Sequence, residues 1–132
     1  MRIGVRLLMT TTAVFLALLG LLATFLPHEI VGFLKHDNST LLQILIQLLG
    51  AQWFAMAMLD WMVKDGVIGG IYNRPIIILN FIHFFIGALA LIKSAISNSG
   101  IHTVIFILAA AYSILALLFG CLLFRNPVTA SN

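Results

Sequence analysis

Charge is the scarcest commodity in this sequence: only 8% of its 132 residues are Asp, Glu, Lys or Arg, where a soluble domain carries about a quarter. A soluble fold of this size needs polar surface to cover its core, and there is not enough here to do so. That scarcity excludes a soluble enzyme, a nucleic-acid-binding module and a disordered tail. Cysteine is nearly absent. The single Cys121 rules out an intramolecular disulfide framework, a CxxC redox pair and a thiolate zinc site. Runs of like charge are missing too. The seven Lys and Arg exceed the four Asp and Glu, but they are scattered singly, so they carry topology rather than a nucleic-acid footprint.

What is present in excess is apolar sequence, at 62% of the chain, and it falls into four runs of about 20 residues or more: 7–26, 41–63, 76–96 and 103–124. At 1.5 Å rise per residue each is long enough to cross a hydrocarbon core of about 30 Å. Two-residue alternation is absent, which argues against membrane strands. Lipid supplies no partners for backbone amides, so each span closes its hydrogen bonds within itself as a helix. The first run follows Arg2 and Arg6 but exceeds a signal-peptide core, and Thr24-Phe25-Leu26-Pro27 offers no small-residue cleavage site. It reads as a retained span. The expected fold is an all-α integral membrane four-helix bundle forming one domain, without internal repeats.

The connectors carry stop and start signals. Pro27 ends the first run, and Asp37-Asn38-Ser39-Thr40 opens the second, with Thr40 and Gln43 at capping-box spacing. Ile30, Phe33 and Leu34 between them have helical spacing and predict a short interfacial helix. Gly66, Gly69, Gly70 and Pro75 separate the second and third runs, and Asn98 and Gly100 the third and fourth. Arg2, Arg6, Lys64, Arg74 and Arg125 fall on one side of such a membrane, against Lys35 and Lys93 on the other. This asymmetry predicts cytoplasmic N- and C-termini.

Helices in lipid associate through close packing at small residues. Ala13, Ala17, Gly20 and Thr24 share a face of the first span, and Ala109, Ser113, Ala116 and Gly120 share a face of the fourth. These stripes predict helix–helix seams, the first with the fourth, or a face for a homo-oligomer or a membrane partner.

Polar groups inside a span are expensive and therefore candidates for function. Asn80 and His83 are three residues apart on the third span, about 6 and 10 Å from its basic end. Asp60 lies about 4–5 Å deep on the second span, and Trp53, seven residues earlier, shares its face. Tyr72 and Arg74 in the connector can reach the same level. His83, Asn80, Asp60, Trp53, Tyr72 and Arg74 are thus the candidate ligand-binding set, suited to a lipid headgroup or a proton. The competing reading of Asp60 is a boundary ion pair with Lys64, four residues on. His83, for its part, could donate to a neighbouring helix. Replacing His83 or Asp60 by Ala is expected to impair function with little loss of folded yield. Gln47 and the near-midplane Gln52 are better explained as interhelical glue. Phe81, Phe84, Phe85 and the methionines read as packing or lipid contacts.

His28, His36 and His102 lie toward the other side with Glu29 and Asp37, but their spacing fits no metal-ligand pattern. Asn38-Ser39-Thr40 is formally a glycosylation sequon, too near the membrane to be a good acceptor. No cofactor is expected. A catalytic triad, a zinc-protease motif, paired membrane carboxylates and a phosphate loop are all missing from the sequence. A non-catalytic binding or accessory bundle for a lipid, a hydrophobic small molecule or a membrane partner is the leading reading. The alternative is a small transporter or channel, proton-coupled through His83.

Overall fold

The computed structural model describes residues 2–34, 39–66, 73–98 and 100–124. They form five helices: α1 Arg2–Phe25, α2 Pro27–Phe33, α3 Thr40–Val63, α4 Arg74–Ser97 and α5 Thr103–Phe124. The fold is all-α, as expected from the four apolar runs. The four long helices are each long and apolar enough to cross a membrane, which makes this a multi-pass membrane protein. α1 begins before its apolar run because Arg2 and Arg6 continue the helix beyond the hydrocarbon, where charge is tolerated.

Helix ends follow local chemistry. Leu26 leaves the helical region (φ −123°, ψ 42°), and Pro27 then occupies the first turn of α2, where its missing N–H costs nothing. The expected cap at Thr40 is displaced by one residue. Ser39 is extended (φ −84°, ψ 137°) and its hydroxyl accepts from the amide of Leu42 at 3.1 Å, whereas Thr40 is already helical, and an N-cap must not be. Pro75 does not break the connector as expected but lies in the first turn of α4, a tolerated position for the same reason as Pro27. Asn98 closes α4, its backbone and side-chain amides both donating to the Ser94 carbonyl. Gly69, Gly70, Lys35, His36, Asp37, Asn38 and Arg125, named above, lie outside the described residues.

The chain divides into two compact units, Met1–Gly66 and Val67–Asn132. In the first, α1 and α3 form a hairpin, with α2 packed beside both. In the second, α4 and α5 form a hairpin. Gly20 and Thr24 of the small-residue stripe of α1 pack on α3. A Cβ on Gly20 would lie 2.8 Å from the Gly50 carbonyl oxygen and 2.8 Å from the Phe54 nitrogen, and one on Gly50 would lie 2.7 Å from the Thr24 nitrogen. The two backbones touch, which only glycine permits. Gln47 donates to the Thr24 carbonyl at 3.3 Å, the expected interhelical glue. At the other end, Arg6 Nε reaches the Asp65 carboxylate at 2.9 Å.

The second hairpin is joined differently. Phe84 and Phe119, both fully buried, stack at 5.9 Å, and Tyr112 meets Phe84 edge-on at 5.0 Å. Ala109, Ala116 and Gly120 of the α5 stripe are buried, and Gly120 faces the ring of Phe81. Here the small residues make room for aromatic side chains of α4 rather than for its backbone.

Candidate functional site

Each hairpin holds part of the polar set named from the sequence. In the second, Asn80 is buried and its side-chain amide donates to the Ile76 carbonyl at 3.1 Å. One turn on, His83 Nε2 lies 3.3 Å from the Tyr112 hydroxyl, and its ring meets Phe84 edge-on at 5.1 Å. Gly87 gives Tyr112 its place, since a Cβ there would fall 2.6 Å from the phenol ring. Ser113 satisfies its own hydroxyl on the Ala109 carbonyl at 2.7 Å. His83 is therefore a packed, hydrogen-bonded residue of the α4–α5 seam. Arg74 is exposed at the start of α4, and Tyr72 lies outside the described residues.

In the first hairpin, Asp60 is fully buried. Lys64, the candidate ion-pair partner, directs its ammonium over the Trp61 ring, 3.0 Å from the centroid. Trp53 is half-buried and its indole N–H has no hydrogen-bond partner. The sequence did not single out Thr12, yet it is fully buried and its hydroxyl has no partner. The neighbouring threonines behave otherwise. Thr10 and Thr11 donate to the carbonyls four residues back, at 2.7 and 2.8 Å, the usual fate of a hydroxyl in an apolar helix.

Helix geometry relates these three residues. Gly20 and Gly50 mark the centre of the α1–α3 seam. At about 100° per residue, Thr12 lies about 80° from Gly20, and Asp60 and Trp53 about 80° and 60° from Gly50, all rotated in the same sense. In an antiparallel pair that is one flank of the seam. The contacts Arg6 to Asp65 and Gln47 to Thr24 fix the register, which brings Thr12 level with Asp60 to within about a residue. Trp53 lies two turns from Asp60, about 10 Å along the axis. One flank of the first hairpin thus carries a buried carboxylate, a buried hydroxyl and a buried indole N–H.

A buried polar atom without a partner forfeits about 1–3 kcal/mol, and such atoms are few in native structures. Two on one flank of one hairpin, beside a buried acid inside a span, set that flank apart as the candidate site. Among the described residues no three His, Cys, Asp or Glu side chains come together as metal ligands. His28 and Glu29 are exposed on α2.

Two of these residues sequence reasoning missed. Tyr112 was legible as a hydroxyl beside that of Ser113 in the middle of an apolar span. Thr12 was not, because nothing in Thr10-Thr11-Thr12 tells which hydroxyl folds back on its own helix. No protein-family model matches the chain, and no curated protein or solved structure matches it.

Proposed function

We propose that the protein is a non-catalytic membrane bundle that binds a lipid or another hydrophobic molecule through a polar headgroup, at the α1–α3 hairpin. One observation carries this reading: the Thr12 hydroxyl and the Trp53 indole N–H are buried without a protein partner, on the flank that holds Asp60. Thr12 can donate or accept and Trp53 can only donate. Asp60 adds an acceptor, and a negative charge when ionised. A headgroup bearing hydroxyl or amine functions together with an acceptor oxygen matches that set. Asn80, His83 and Arg74 contribute to the second hairpin's own packing and its boundary, and Tyr72 joins the ligand set by sequence position alone.

The transporter alternative, proton-coupled through His83, draws less support, since that imidazole is engaged with Tyr112. The excess of Lys and Arg at one end of the spans favours cytoplasmic termini.

The test is native mass spectrometry of the protein released from a mild detergent. A discrete added mass on the wild type, lost in the Thr12→Val/Trp53→Phe double variant, is the expected result. Bare protein under every release condition sinks the proposal. Proton flux into proteoliposomes that disappears in His83→Gln would favour the transporter instead.

A further inference from the structure

Gln52 sits near the middle of α3, about 18 Å from either end of the helix, yet it is exposed and makes no hydrogen bond among the described residues. It lies about 160° around the helix from Gly50, so it faces away from α1. The residues above and below it on that face are Leu41, Leu45, Leu48, Ala55, Leu59 and Met62, all exposed. Five are ordinary lipid-facing side chains, and Ala55 beside Gln52 lets another backbone approach. The carboxamide is the exception, because hydrocarbon offers it neither donor nor acceptor.

We infer that this face of α3 is where a second copy of the chain docks, with Gln52 of each copy hydrogen-bonded to the other. The carboxamide is both donor and acceptor, so it is complementary to itself. Copies inserted in the same orientation and related by a two-fold axis along the membrane normal bring identical residues together at identical depth. Gln52 therefore meets Gln52 without any adjustment of register. The spacing from Leu41 to Met62 alternates four and three residues, and a lone polar residue inside such a seam fixes register and copy number in coiled coils. Interhelical amide bonds drive helix association in lipid in the same way. The small-residue stripe of α1, the other surface suited to self-association, is already in contact with α3. This inference uses the face of α3 turned away from α1, about 80° around the helix from Asp60 and about 100° from Trp53, and none of the residues of the ligand set.

The experiment is single-molecule photobleaching of the full chain in lipid vesicles, paired with cysteine crosslinking in a Cys121→Ser background. The wild type is expected to be a dimer, and Gln52→Leu to shift the monomer–dimer equilibrium toward monomer by about tenfold. Gln52→Asn should retain the dimer. Gln52→Cys should crosslink between copies, whereas Leu18→Cys, at similar depth on the exposed side of α1, should not. A monomeric wild type overturns the inference, as does a dimer that Gln52→Leu leaves intact. Gln52→Leu is at home in lipid and keeps the α1–α3 seam, so its folded yield, read in the same samples, separates dissociation from misfolding.

Discussion

The two hairpins solve the same packing problem by different means. In the α1–α3 pair the backbones touch at Gly20 and Gly50, whereas in the α4–α5 pair aromatic rings fill the seam. Their polar groups differ in parallel. In the second hairpin the Asn80 side-chain amide and the Ser113 hydroxyl donate to carbonyls of their own helices, and His83 meets Tyr112 across the seam. In the first, Thr12 and Trp53 leave buried polar atoms unmet. His83 finds its partner across the ring-filled seam, whereas the Thr12 hydroxyl and the Trp53 indole N–H find none across the seam of touching backbones. The contrast moves attention from His83, the most suspicious residue in the sequence, to the flank of the first hairpin.

The comparison can be broken most directly at its glycines. Gly50→Ala places a Cβ against backbone atoms that cannot rotate away, and should cost about 3 kcal/mol or more. Gly87→Ala meets only the Tyr112 ring, a side chain that can yield, and should cost about 1–2 kcal/mol. Denaturation of each variant in mixed detergent micelles gives both values, and equal costs would erase the distinction between the seams.

Hydroxyl deletions sharpen the same contrast, because they should differ in sign. Tyr112→Phe removes the partner of His83 and should lower stability by about 1 kcal/mol. Thr12→Val replaces an unmet hydroxyl with a methyl group of the same shape, so the ligand-free protein should gain up to about 1 kcal/mol. Thermal unfolding in delipidated detergent reads both. A loss of stability in Thr12→Val would mean that its hydroxyl is satisfied within the fold.

The smallest effect belongs to the boundary. Arg6 and Asp65 are more than half exposed, and an ion pair in that setting contributes about 0–1 kcal/mol. Arg6→Gln should therefore leave the unfolding curve nearly unchanged at 0.15 M salt. A large loss would make the ion pair, rather than the glycines, the lock of the first hairpin.

Apolar patterning alone dictates the class and the four spans. Hydrocarbon forbids unpaired backbone, and 20 apolar residues can satisfy that only as a helix. The sequence also located the short helix after Pro27, the glue at Gln47 and the small-residue stripes, since each depends on local spacing. Which stripe meets which helix was decided by the tertiary structure, because a face of Ala and Gly accepts any partner that approaches closely. So was the difference between Thr12 and its two neighbours, three identical side chains set apart only by the surroundings each one turns toward. Gln52 shows the same division. Its depth can be counted along the chain, but only the packing of α3 against α1 leaves its amide on the outward face.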